Sequence, residues 1–163
     1  LVGVSTSTAS VIDYVKYAKD ACLLFSLENY ASKFVEKETV KKHYFVDNGL
    51  LSIFLSGGEG ALLENVCAIH LHRKFGEQLF FYNKAVEVDF YIPEESYAIQ
   101  ASYSIMAEDT QDTYTREVEA LKKLNAYQHL DRMVIVTYDE ESLIEIGNGQ
   151  SIEVIPAWKW LLT

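Results

Sequence analysis

The sequence predicts an α/β fold built on a mixed sheet, and three observations carry that prediction. First, from Ala61 onward the apolar residues change period in a fixed order: helix, three strands, helix, strand, then a terminal hairpin and a short helix. Second, residues 132–138 are rich in Val and Ile without polar alternation, the pattern of a strand buried on both faces. Third, Gly147-Asn148-Gly149 separates two short β-rich runs, and Asn-Gly readily takes the positive φ values of a type I′ hairpin turn.

The elements follow in order. Ser5, Thr6, Ser7 and Thr8 offer N-cap oxygens to a helix over residues 9–24, in which Val11, Tyr14, Val15, Ala18, Cys22 and Phe25 recur at helical spacing. Two β-rich stretches, 24–30 and 42–46, are joined by a charged connection containing Lys33, Glu36, Lys37, Glu38 and Lys41. A helix followed by a two-stranded flap is how a winged helix ends, and a helical cap with a hairpin fits equally. Asp47-Asn48-Gly49 breaks the chain before a helical turn over 50–55, and Ser56-Gly57-Gly58-Glu59-Gly60 forms a joint. A stronger helix over 61–75 stops at Gly76, a plausible C′ residue. Strands are expected over 78–83, 86–92 and 97–103, then an acidic loop over 107–112, a helix over 113–127 and the strand over 132–138. The hairpin strands cover 143–146 and 152–155, and Pro156 suits the first turn of a last helix carrying Trp158, Trp160, Leu161 and Leu162. That apolar stripe reads as a lid over the sheet, or as a partner surface if exposed.

Composition narrows the function. The chain has 163 residues, 49% hydrophobic and 23% charged, which is globular composition and excludes disorder. No apolar run approaches the roughly 18 residues of a membrane span, and no signal peptide opens the chain. With only Cys22 and Cys67, a disulfide framework is not expected, and the reading is a cytoplasmic protein. The chain starts at Leu1 in mid-pattern, as a piece of a longer polypeptide would. The 14 basic and 24 acidic residues give a net charge of −10, unevenly spread: residues 1–46 carry six Lys against five acids, and the whole acidic excess lies in 47–163. A phosphate backbone repels such a surface, so the second segment alone is not expected to bind nucleic acid tightly.

The chemistry-bearing residues are few. The joint at 56–60 lacks the Lys-Ser or Lys-Thr of a P-loop, and Glu59 would repel phosphate, so this chain is not expected to hydrolyse ATP. Glu64 lies on the strong helix, Asp89 within the run Val86-Glu87-Val88-Asp89-Phe90, and Gln100 and Ser102 point the same way along one strand. A helix Glu, a hairpin Asp and a strand pair of the form acid-x-Lys make a Mg²⁺-dependent nuclease site. There the carboxylates hold the hard cation and the Lys steadies the attacking water. On spacing alone, a solvated Glu64 and a turn residue Asp89 fit as well. Lys84 at a hairpin tip and Arg116 near a helix start are candidates for a migrated base. Lys41 and Lys42, beside His43 and Tyr44, are candidates for phosphate contact from a wing. Cys67 and His70 could share a helix face, but two ligands do not make a zinc site.

Resemblance adds to this reading. Lys42-His43-Tyr44-Phe45-Val46-Asp47-Asn48-Gly49-Leu50, Leu62-Leu63-Glu64-Asn65, Glu87-Val88-Asp89-Phe90 and Ile99-Gln100-Ala101-Ser102-Tyr103-Ser104 together resemble one module. So do Thr115-Arg116-Glu117-Val118, Thr137-Tyr138-Asp139-Glu140 and the closing Ile155-Pro156-Ala157-Trp158-Lys159-Trp160-Leu161. The module is the C-terminal domain of a family of prokaryotic AAA+ superfamily ATPases, similar to PD-(D/E)xK restriction-endonuclease-like nucleases and preceded by a P-loop ATPase and a winged helix. The resemblance implies a winged-helix remnant over 1–46 and a nuclease-like domain over 47–163. It implies Glu64, Asp89, Gln100 and Ser102 at the catalytic positions, Glu64 and Asp89 as a vestigial Mg²⁺ site, and ATP bound only by a module outside this chain. Partners would be that ATPase module, DNA or another protein. At the acid-x-Lys positions stand Gln100 and Ser102. Losing one stabilising group there costs about 10²- to 10³-fold in rate, so an inactive nuclease domain is expected.

Overall fold

A computed structural model describes residues 7–31, 40–55 and 58–163. Expectations placed on Ser5, Thr6, Lys33, Glu36, Lys37, Glu38, Ser56 and Gly57 lie outside them. The described elements are α1 (Thr8–Asp20), β1 (Leu24–Asn29), β2 (Lys41–Phe45), α2 (Asn48–Phe54), α3 (Glu59–Phe75), β3 (Phe80–Asn83), β4 (Glu87–Ile92), β5 (Tyr97–Ala101), α4 (Gln111–Gln128), β6 (Arg132–Thr137), β7 (Ser142–Gly147), β8 (Gln150–Pro156) and α5 (Ala157–Trp160). The chain is thus α/β with an eight-stranded mixed sheet in the order β2-β1-β3-β4-β5-β6-β8-β7.

Local chemistry explains most boundaries. Ser7 caps α1 by accepting the Ser10 N–H, and the Asp47 carboxylate caps α2 through the Gly49 and Leu50 N–H groups. α3 begins at Glu59, two residues earlier than its apolar pattern, and stops at Gly76, whose φ of 54° ends the helix. Asn148 and Gly149, at φ 55° and 71°, form the two-residue turn between β7 and β8. Pro156 lies one residue before the last helix as its N-cap, ending β8.

Two apolar layers cover the sheet. Leu63, Cys67, Ala68 and Leu71 of α3 pack on Leu27, Phe81, Phe90, Ile99, Val134 and Val136. Val118, Leu121 and Leu124 of α4 pack on the other face against Val88, Ala98, Ile135, Ile152 and Val154. The closing stripe divides: Trp160 is buried and donates its indole N–H to the Tyr97 hydroxyl, while Trp158 and Leu162 are exposed. It is a lid through Trp160, with Leu161 half-buried against the same cluster. The apolar residues of α1 do not join the core either, since Val11 and Tyr14 are 48% and 64% exposed.

The sheet runs unbroken across residues 46 and 47. β1 pairs with β2 antiparallel and with β3 parallel, through Glu28↔Phe80 and Asn29↔Phe81. Two buried asparagines fix this joint. Asn29 donates to the Asn83 carbonyl and accepts the Ala31 and Asn83 N–H groups. Asn65, on α3, bonds both the N–H and the carbonyl of Phe45 on the free side of edge strand β2, and donates to Asn48. A buried backbone group left unpaired costs about 1–3 kcal/mol. Asn65→Leu should therefore lower unfolding stability by about 2–4 kcal/mol in urea titration; a loss under 1 kcal/mol would show that the clamp contributes little.

Candidate functional site

The polar centre of the molecule starts from an irregularity in β4. Phe80 pairs with Tyr91 and Tyr82 with Val88, so β4 spends three residues where β3 spends two. That bulge holds Asp89 and Phe90. The β4–β5 ladder covers only Phe90 to Ile92, and beyond it side chains do the cross-strand bonding. The Gln100 amide accepts the Asp89 N–H at 2.8 Å and donates to the Glu87 carbonyl at 3.1 Å. The Asp89 carboxylate returns the bond, accepting the Ala101 N–H through Oδ2 at 3.1 Å.

Where the two strands separate, a cleft of about 670 Å³ opens between the helix layers. Lys42, Glu64, Glu87, Asp89 and Gln100 line one part, and Thr115, Arg116, Glu117 and Lys123 of α4 another. Lys42 comes from edge strand β2 and passes over the Phe81 ring. Its ammonium lies 2.8 Å from Asp89 Oδ1, 2.9 Å from a Glu87 oxygen and 3.5 Å from Glu64 Oε1. Tyr44, two residues on and on the same face of β2, donates its hydroxyl to Glu64 Oε1 at 2.7 Å.

Protonation states follow from burial and charge. Burial alone would push the Lys42 ammonium down, but Asp89 and Glu64 outweigh it and hold it above the ordinary lysine range. It is a permanent cation. Burial, then the charge of Asp89, raises Glu64, against Lys42 and the Tyr44 hydrogen bond. Burial also raises Glu117, against its ion pair with Arg116 at 2.6 Å. Burial raises Tyr44 as well, so its hydroxyl stays a donor.

The sequence-selected residues fare differently. Glu64, Asp89 and Gln100 meet in the cleft; Ser102 does not line it, and its hydroxyl bonds the Ser104 carbonyl. Beyond Ala101 the chain is drawn off by Glu140, whose carboxylate accepts from Ser104, Ile105 and Met106. Asp89 is a strand residue and not a turn residue. Of the two candidates for a migrated base, Lys84 is exposed and lines no part of the cleft, while Arg116 lines it paired with Glu117. Lys42 is no solvated wing lysine, because three carboxylates hold it. Lys41, on the opposite face, pairs with Glu28 at 3.5 Å. Cys67 is a core residue, and His70 lies against Trp160.

Whether these residues fit Mg²⁺ turns on their free oxygens. A hard cation needs several oxygens converging at about 2.0–2.1 Å. Glu64 and Asp89 are the acids expected to hold one, but the point where they meet is filled by Lys42 Nζ. Asp89 Oδ2 is taken by Ala101, Glu64 Oε1 by Tyr44, and the Gln100 carbonyl by Asp89 itself. Among the described residues no three acidic, His or Cys side chains are set to hold a metal ion. The arrangement does not fit a resident Mg²⁺. Gln100 works as a substitute ladder rung.

In class, the molecule is an α/β domain with an acidic cleft that carries its own cation. An uncharacterised protein of Methanocaldococcus jannaschii is 32% identical to it over 168 residues, a match taking in 96% of this chain and 37% of the relative. The chain therefore spans little more than a third of that relative's length. No family model and no solved structure matches the chain. Among the described residues no helix is long and apolar enough to cross a membrane.

The raised carboxyls make stability depend on pH. A carboxyl easier to protonate folded than unfolded adds stability as pH falls through its raised value toward the ordinary one, about 4.3. Glu64→Gln removes one such titration, so its urea midpoint should change less between pH 7 and pH 5 than the wild type's. Equal slopes would refute the assignment to Glu64.

Proposed function

We propose that this chain is a non-catalytic, restriction-endonuclease-like domain of a longer AAA+ superfamily ATPase, acting through contacts with protein or nucleic acid. The order α3, β3-β4-β5, α4, β6 supports the nuclease-like reading, as does the meeting of a helix acid, Glu64, with a strand acid, Asp89, in one cleft. In this reading residues 1–46 are the end of a winged helix, and ATP turnover belongs to a P-loop module outside the chain. The M. jannaschii relative, well over twice as long as its matched part, leaves room for such a module.

One observation carries the loss of catalysis. At the position of the acid in acid-x-Lys, Gln100 spends both ends of its amide on the backbone of β4, and Ser102 turns away from the cleft. Neither supplies a charge to the reaction. The excess of acidic residues in 47–163 also disfavours phosphate near the cleft.

A second reading has one observation in its favour. Lys42 brings an ammonium to 2.8 Å from Asp89, so a working Mg²⁺-dependent nuclease on Glu64 and Asp89 would have its lysine from another strand. Against it, that ammonium already binds three carboxylates.

Incubation of linear and supercoiled DNA with the purified chain in Mg²⁺ or Mn²⁺ separates the two. No cleavage above that of an Asp89→Asn control is expected. Cleavage that Asp89→Asn and Lys42→Met both abolish would establish the nuclease and overturn the non-catalytic reading.

A further inference from the structure

We infer that the Lys42 ammonium is the built-in cation of the cleft, taking the place of a divalent ion and closing the site to one. Three carboxylates from two elements, Glu64 on α3 and Glu87 and Asp89 on β4, point at a single nitrogen within 3.5 Å. Such a cluster, half withdrawn from water, holds together only around a positive charge. Here the charge is covalently tethered. Lys42 reaches the cluster from β2, across β1 and β3 in the sheet order, and its ammonium lies 5.8 Å from the centre of the Phe81 ring. Its side chain is 22% exposed and that of Asp89 15%, so the innermost oxygen of the cluster is largely withdrawn from bulk solvent.

Among the described residues the other charges around the cluster leave no second candidate for this task. Arg116 of α4 is bound to Glu117 at 2.6 Å, and Lys123 lines the α4 wall, as does Glu119. The remaining polar neighbours, Tyr44 and Gln100, are neutral donors and acceptors that already have partners. The oxygens stand 2.8–3.5 Å from Nζ, a spacing suited to ammonium hydrogen bonds. A divalent ion in its place would draw them in to roughly 2.0–2.6 Å.

The inference rests on the reading of the cleft as non-catalytic, and its test uses no DNA. Wild type, Asp89→Asn, Lys42→Met, and Lys42→Met combined with Asp89→Asn are melted with and without 5 mM Mn²⁺ or Ca²⁺ (about 5 mM is ample for a weak carboxylate site). Mn²⁺ binding is followed in parallel by calorimetry. The wild type should bind no Mn²⁺ in a manner sensitive to Asp89→Asn. Lys42→Met should melt about 10 °C lower, since it strands a carboxylate cluster, and should recover several degrees with Mn²⁺. The double variant should not respond. If Lys42→Met does not fold, Lys42→Gln, which keeps an N–H donor toward Asp89, is used in its place.

Two results overturn the inference: Asp89-dependent Mn²⁺ binding by the wild type, or a folded Lys42 variant that no divalent ion stabilises. Neither depends on cleavage. DNA cleavage by the wild type would instead sink the proposed function.

Discussion

Carboxylates brought together at the mouth of a sheet need a counter-charge, and the position of Lys42 depends on how the sheet is ordered. Glu64, Glu87 and Asp89 converge because α3 packs over β4 and because a bulge aims Asp89 into the gap between β4 and β5. The ammonium that reconciles them comes from β2, the edge strand. It arrives only if β1 inserts parallel beside β3, so the short Glu28↔Phe80 and Asn29↔Phe81 register governs the electrostatics of a cleft strands away. The asparagine clamps at 29 and 65 therefore act on the cleft at one remove. They hold the hairpin that holds the cation.

The same dependence bears on how the chain divides. A boundary at residue 46 cuts between β2 and the capping Asp47 of α2. Phe25, Leu27 and Tyr44 belong to the same apolar cluster as Phe81, Phe90 and Leu71. Separating the first 46 residues would uncover that cluster and strip the acidic cleft of its ammonium together. Whatever the ancestry of the first segment, among its described elements α1 stands largely outside the shared core, with Val11, Ile12, Tyr14 and Tyr17 facing out.

Much of the fold was legible because the periods are clean. The strands around Phe81, Phe90, Ile99 and Val134 and the helices around Leu71 and Leu121 fall where the spacing places them, and Asn148-Gly149 turns as its chemistry requires. The bulge was not legible, since Val88-Asp89-Phe90 reads as plain alternation and the extra residue shows only against β3. Lys42 left a signal that charge counting hides. It stands two residues before Tyr44, a core residue of the same strand, so it shares the inward face and must have a partner there. Gln100 gave a similar clue, as a lone amide within Tyr97-Ala98-Ile99-Gln100-Ala101, where only backbone partners could satisfy it when buried. α1 misled for the opposite reason: its spacing is amphipathic, yet Val11 and Tyr14 stay exposed and Val15 and Ala18 are only half-buried, and periodicity reports a face without naming what it meets.

A tethered ammonium and a bound divalent ion solve the same electrostatic problem with different chemical consequences. A divalent ion in an oxygen site keeps coordination positions for water, and it lowers the pKa of that water enough to make a nucleophile near neutral pH. An ammonium has three N–H donors and no vacant orbital. In this cleft Asp89 and Glu87 lie at 2.8 and 2.9 Å and Glu64 at 3.5 Å, so the donors are directed into the protein rather than toward a substrate. Its charge is half that of the ion, which suffices to hold the carboxylates but leaves the cleft acidic. The exchange trades reactivity for permanence, since no chelator or change in metal supply removes a lysine from its own chain. A cleft built this way keeps its carboxylates together around a tethered charge, which is what the proposed role in contacts with other macromolecules requires.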